Sequence, residues 1–223
     1  QIYATALGLY QVRDYARAKE VLNKLSSRAS ESELALSLQA QIALDSGDIE
    51  SAELLAEKIL SRTPNAGHAN FIKAKALFST GSYQSSISCL NKCIESGSAY
   101  KQEALLLRGK AYRMLGMFEA ARVDFERCLK LSKLWPEADL LFGETLFNLN
   151  RFDKVVTRYE HSYYKYSWSV ENWNFIGARM ADLLSRSYSK LGDEIKAREY
   201  RKIANQLGFV PTMPFDNNKP GLF

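Results

Sequence analysis

A turn residue followed two places later by an aromatic or aliphatic side chain recurs along the chain at Arg13/Tyr15, Gly47/Ile49, Gly81/Tyr83, Gly116/Phe118 and Asn150/Phe152. The successive separations are 34, 34, 35 and 34 residues. A sixth occurrence at Gly192 follows after 42, so about eight extra residues lie between the fifth and sixth units. A period of this length implies an array in which each unit buries its apolar face only against its neighbours. Two more columns keep the register. Seven residues before each turn stand Ala6, Ala40, Ala74, Gly109, Gly143 and Ser185; five after it stand Ala18, Ala52, Ser86, Ala121, Val155 and Ala197. Small residues at both points let two helices approach closely.

Four residues beyond the second column come Leu22, Ala56, Leu90, Phe125 and Tyr159, which complete a helical stripe. Each unit therefore reads as an antiparallel helix pair. First helices are expected near 1–12, 33–46, 67–80, 101–115, 137–149 and 171–191, and second helices near 15–28, 49–62, 83–96, 118–132, 152–166 and 194–207. Asp14, Asp48, Ser82 and Asp193 precede second helices, where a short side-chain oxygen accepts from free backbone N–H groups. Ser30 with Glu33 has the spacing of a capping box, and Pro64 and Pro136 separate units.

Composition agrees with helices and excludes other classes. Twelve Gly and five Pro in 223 residues are too few turn residues for a sandwich or barrel of short strands. No apolar run spans a bilayer, so no membrane span is expected. The net charge of +5 comes from residues 101–223, with twenty basic and fifteen acidic side chains against ten of each in residues 1–100. That surplus is far from the dense basic face of a nucleic-acid binder and favours acidic partners. Cys89, Cys93 and Cys128 have no disulfide-framework spacing, which points to a reducing, cytoplasmic location. The chain opens at Gln1 without Met, and is expected to be a mature form or an excised fragment.

The fourth unit carries the run Leu105, Arg108-Gly109, Tyr112, Gly116, Phe118, Ala121 and Phe125. With this spacing the chain resembles the tetratricopeptide repeat (TPR) superfamily, departing from it at Arg108, where Leu is usual, and Leu105, where Trp is usual. The resemblance implies an all-α fold, a right-handed superhelical solenoid of about six helix-turn-helix units with a non-helical C-terminal tail. Residues 1–208 would form one array, with units near 1–29, 30–64, 65–98, 99–135, 136–168 and 169–208, and 209–223 a tail or cap.

By the same resemblance the first helices line a concave groove. Its lining would be Tyr3, Leu7 and Tyr10, then Ser37, Gln41 and Leu44, then Phe71, Lys75 and Phe78, continuing through Leu106, Lys110 and Arg113 to Leu140, Glu144 and Phe147. Asp182, Arg186 and Lys190 would close it. The lining turns from aromatic to cationic along the chain, which suits a protein or peptide partner with apolar anchors and an acidic portion. Solvated lysines and inter-unit packing of Phe71 or Phe147 explain the same residues without a ligand. The Lys and Asn by which some TPR domains clasp a C-terminal carboxylate are absent, their places holding Tyr3 and Leu7, or Ser37 and Gln41.

Protein–protein interaction, as an adaptor or assembly scaffold, is therefore the leading expectation. RNA binding by a helical-repeat array is the alternative from another class, disfavoured because the comparable positions vary among Tyr, Leu, Phe and Lys. A regulatory TPR fragment of a larger enzyme or machine is the third. The chain is not expected to be an enzyme: it has no H-E-x-x-H, no phosphate-cradling Gly-rich loop, no G-x-S-x-G elbow, and its two His residues lie in different units. No cofactor or metal is expected, since Cys89 and Cys93 share one helical face but lack further ligands nearby in sequence. Tyr164, Tyr166, Trp168 and Trp173, within the eight-residue insertion and just after it, are either a second interaction face or filling for an irregular joint. In the tail, Phe209, Met213, Phe215 and Phe223 either cap the last helix or dock elsewhere.

Overall fold

The computed structural model describes residues 1–25, 30–131, 135–161 and 173–208, without the side chains of Trp173 and Asn174. Among the described residues there are twelve α-helices and no strand. First helices are α1 (Ile2–Gln11), α3 (Glu33–Asp45), α5 (Gly67–Ser79), α7 (Lys101–Met114), α9 (Pro136–Asn148) and α11 (Trp173–Leu191). Second helices are α2 (Tyr15–Leu22), α4 (Ile49–Leu60), α6 (Tyr83–Glu95), α8 (Phe118–Leu131), α10 (Phe152–Tyr159) and α12 (Glu194–Gln206). Helices α2 and α10 stop after eight residues, short of the 15–28 and 152–166 expected. The aromatic residues Tyr164, Tyr166 and Trp168, and the tail 209–223, lie outside the described residues, as does the Trp173 side chain.

The turn register is set by backbone conformation. Arg13 (φ 61°), Gly47 (84°), Gly81 (80°), Gly116 (72°), Asn150 (57°) and Gly192 (84°) are all left-handed, the conformation that reverses the chain after each first helix. Glycine adopts it freely, whereas an L side chain there costs about 1 kcal/mol, less for Asn. Arg13→Gly should raise stability by about 1 kcal/mol and Asn150→Gly by a smaller amount, read from urea midpoints. An unchanged or lowered midpoint for Arg13→Gly would show that its side chain is worth as much as the strain.

The small columns lie at the helix crossings. Ala6, Ala40, Ala74, Ala18, Ala52, Ser86 and Ala121 are fully buried, and Gly143 sits so close to its neighbours that an added Cβ would stand 2.7 Å from Tyr159 Cε2 and 2.9 Å from Leu183 Cδ2. The two polar members of these columns satisfy themselves across the pair. Ser86 Oγ, from a second helix, donates to the Ala74 carbonyl of the first at 2.8 Å; Ser185 Oγ, from a first helix, donates to the Ala197 carbonyl of the second at 2.8 Å.

Capping follows the sequence at three second helices. Asp14, Asp48 and Asp193 accept from the backbone N–H of Arg17, Ser51 and Lys196 at 3.2, 3.2 and 3.0 Å. Ser82 makes no side-chain cap bond. At α3 the cap is Ser32, accepting from Ala35 N–H at 3.3 Å, rather than Ser30. The helix starts at Glu33, as the repeat register predicts, so only the capping residue differs from the S-x-x-E reading. Pro136 opens α9, where its missing N–H removes no intrahelical bond.

The chain forms two compact units, Gln1–Ala111 and Tyr112–Phe223. In the first, α1, α3 and α5 contact one another in a row and each packs on its own second helix. In the second, α9 and α11 form the corresponding row, backed by α8, α10 and α12.

Candidate interaction face

In the N-terminal unit one carboxylate ties the first helices together. Asp45, at the end of α3, accepts from the Tyr10 hydroxyl of α1 at 2.8 Å and from Gln41 Nε2 at 2.9 Å, while Lys75 Nζ of α5 lies 3.7 Å away. Partial burial and the bond to Asp45 push the Tyr10 phenol well above its ordinary pKa, so it stays a donor at any physiological pH. Gln41 Oε1 in turn meets His68 Nε2 at 3.3 Å, and the His68 ring stacks on Tyr100 at 4.8 Å. Tyr100 also stacks with Phe71 at 5.2 Å, and Lys75 stands 5.9 Å over the Phe71 ring.

The C-terminal unit repeats the device with stronger groups. Glu144 of α9 accepts from Arg113 Nη2, at the end of α7, at 2.9 Å and from Arg179 Nη2 of α11. These side chains are 14%, 19% and 15% exposed, so the Arg–Glu–Arg triad is largely desolvated. Nearby, Asp182 lies 2.8 Å from Arg201 Nη1 and 3.6 Å from Arg186 Nη1. The Arg186 guanidinium sits 4.3 Å over the Phe147 ring.

The residues singled out in the sequence divide accordingly. Tyr3 and Tyr10 are partly buried among α1, α2 and α3; Phe71 and Phe78 are 8% and 7% exposed. Phe78 and Phe147 meet the aromatic residue after the turn, Tyr83 and Phe152, edge to face at 5.3 and 5.0 Å. Lys75, Lys110, Arg113 and Phe147 are half-buried, whereas Arg186 and Lys190 are exposed. Arg108 donates to Asn91 Oδ1 of α6 at 2.6 Å, which gives the departure from the usual Leu a structural role.

Sequence reasoning missed Asp45, His68, Tyr100 and Arg179. Asp45 stands four residues beyond Gln41, the helical spacing for a shared face, and was the available signal. Cys93 is fully buried, its thiol pushed up to about 11 by desolvation, and Cys128 is buried too. Among the described residues no cluster of three metal-ligating side chains occurs, and no helix is long and apolar enough to cross a membrane. A cleft of about 280 Å³ between α8, α9 and α10 is lined by Arg122, Arg151, Lys154 and Arg158. Its arginines bind Glu119, Glu126 and Asp139, and the Arg151–Glu119 pair joins neighbouring repeats, so the cleft is lined by paired side chains.

Burial holds the His68 pKa below its ordinary value. The groups around it, Gln41, Tyr100 and Phe71, are neutral, and none compensates a charged imidazolium. The unfolded chain therefore binds this proton more readily than the folded one. Stability should fall as pH drops below about 6.5 and continue falling until the folded-state pKa is reached. NMR titration checks this: the His68 midpoint is expected below that in urea-unfolded chain, and a midpoint at or above it would refute the assignment.

Models of the tetratricopeptide repeat match residues 3–66, 37–100 and 102–133. Among curated proteins, DnaJ protein P58IPK homolog B of Oryza sativa subsp. japonica is 36% identical over 131 residues, covering 53% of this chain and 26% of its own length. Homolog A is 34% identical over the same shares. The chain thus spans about a quarter of the length of these relatives. Among solved structures, PilW, a type IV pilus biogenesis factor, has a TM-score of 0.72 at 17% identity, over 92% of this chain and 91% of that one. Pseudomonas aeruginosa PilF scores 0.71 at 16%, over 93% and 90%. YrrB, a TPR protein with an unusual peptide-binding site, scores 0.66 at 15%, over 87% and 92%. These likenesses establish the fold.

Proposed function

Because the chain belongs to the tetratricopeptide repeat family, whose members are protein-interaction scaffolds, we propose that it is an adaptor or assembly scaffold that binds a partner segment on its first-helix face. The observation that carries the reading is the composition of that face. In each unit the first helices bring together a carboxylate, cationic groups or a single cation, and aromatic rings: Asp45 with Lys75, Tyr10 and Phe71 in one, Glu144 with Arg113, Arg179 and, beside Arg186, Phe147 in the other. A row of helices needs only apolar contacts to pack. Polar groups joined across it supply orienting hydrogen bonds, and the aromatic rings supply contact area at small entropic cost. The peptide-binding site of YrrB, on the same fold, lends the reading support by analogy.

The Tyr159 phenol, fully buried and donating to the Asp139 carbonyl at 2.7 Å, serves packing rather than the face. A photoreactive residue placed at Gln41 or at Arg186 should cross-link the same partner that a photoreactive residue at Leu54, exposed on the second helix α4, leaves untouched. Cross-linking from Leu54 alone would move the binding surface to the second-helix face and reject the proposal.

A further inference from the structure

We infer that in the C-terminal unit the first-helix face selects an acidic side chain of the partner, that Arg113 and Arg179 are its donors, and that Glu144 is the built-in occupant it replaces. The inference rests on the reading of this face as the binding surface and adds the chemistry of what it binds.

Charge supports it. Two guanidinium groups, Arg113 and Arg179, converge on the one carboxylate of Glu144, and a third, Arg186, stands on the same first helix as Arg179. The N-terminal unit has no such convergence of cations, since Asp45 there meets Lys75 and two neutral donors, Tyr10 and Gln41. Unused hydrogen-bonding capacity points the same way. Glu144 takes only Nη2 of Arg113, and the buried Arg113 Nε has no acceptor among the described residues. An incoming carboxylate that grips the Nε–Nη2 edge side-on makes two parallel bonds where Glu144 makes one. Nε is buried and the adjacent Nη2 is held by Glu144, so a ligand that takes the Nε–Nη2 edge displaces Glu144 from Nη2, and binding is an exchange. Such an exchange keeps both arginines paired and avoids the cost of leaving a desolvated charge alone.

The neighbouring rings define the rest of the ligand. Phe175 is 57% exposed and stands one helical turn before Arg179, whose guanidinium lies 5.8 Å over its ring. An apolar residue adjacent to the acid would cover Phe175, and stacking on the arginine–ring pair would reinforce it. The occupant assigned is therefore a short protein segment in which Asp or Glu adjoins an apolar side chain.

The test uses the full chain and two fluorescein-labelled twelve-residue peptides, one with a Glu-Phe-Glu core and its Gln-Phe-Gln analogue, read by fluorescence anisotropy. The Glu peptide should bind at least about tenfold more tightly, as expected for hydrogen bonds to charged groups, and the ratio should shrink between about 50 and about 300 mM NaCl, over which the screening length falls from about 14 to about 6 Å. Phe175→Ala, at an exposed position, should weaken the Glu peptide several-fold. Glu144→Gln, checked for folding by circular dichroism, should tighten it by about tenfold, since the competitor is gone. Equal affinity for both peptides in the native chain overturns acid selection while leaving the wider surface reading intact. No binding of either peptide, together with loss of cross-linking from Gln41 and Arg186, overturns both. A uridine oligonucleotide that displaces the Glu peptide at equal concentration overturns the inference in favour of generic anion binding.

Discussion

Gly143→Ala is expected to destabilise the C-terminal unit by on the order of 3 kcal/mol, enough to lower its melting temperature by about 10 °C. The new Cβ would stand 2.7 Å from Tyr159 Cε2 and 2.9 Å from Leu183 Cδ2, inside the distance carbon atoms tolerate. Tyr159 cannot step aside. Its ring is fully buried, its hydroxyl donates to the Asp139 carbonyl at 2.7 Å, and Arg158 Nε donates to that hydroxyl at 3.1 Å. Alanine does gain about 1 kcal/mol of helix propensity over glycine, but overpacking outweighs it. The register suggests the rescue. Alanine faces leucine in the first and third units, at Ala6/Leu22 and Ala74/Leu90, whereas glycine goes with the aromatics at Gly109/Phe125 and Gly143/Tyr159. Gly143→Ala combined with Tyr159→Leu should therefore recover part of what the single change loses. Thermal melts followed by circular dichroism decide it, and a single variant as stable as the parent would mean that the helices separate at little cost.

Glu144→Ala should cost about 3 kcal/mol, because it leaves Arg113 and Arg179 facing each other with little water to screen them. The repulsion is electrostatic, so added salt should restore part of the loss. Removing a second charge tells more. Arg179→Leu in the Glu144→Ala background should be milder than the sum of the two single changes, since the pair is coupled through one carboxylate. Additive losses in this double-mutant cycle would show that the triad is three independent side chains.

The architecture was legible in the sequence because the repeat imposes it on a few backbone positions. Six turn residues in register all take positive φ, and the small columns are buried wherever they were counted. Asp14, Asp48 and Asp193 could be read as caps because an N-cap acts on residues only two or three places away. The face was less legible. Arg179 lies on the stretch of α11 that follows the eight-residue insertion, outside the columns that align the other units. Tyr100 precedes α7 in a connection, and its stacking with His68 and Phe71 depends on how the third and fourth units pack. Residue spacing predicts neighbours along a helix, whereas these contacts join side chains from different repeats. The apolar members, Phe71 and Phe78, were placed on the right helices, but their burial depended on aromatic neighbours that periodicity does not specify.

The two serines at the helix crossings have a consequence for how such a chain tolerates change. Ser86 bonds from second helix to first and Ser185 from first helix to second, each at 2.8 Å and each joining the same pair of columns. The crossing is thus indifferent to which strand of the hairpin contributes the hydroxyl. A unit with serine in both columns would hold either bond, so the donor can migrate from one helix to its partner through single substitutions, never passing through an unbonded stage. In the two units that carry a serine, the contact between positions is the same while the identity of the donor differs.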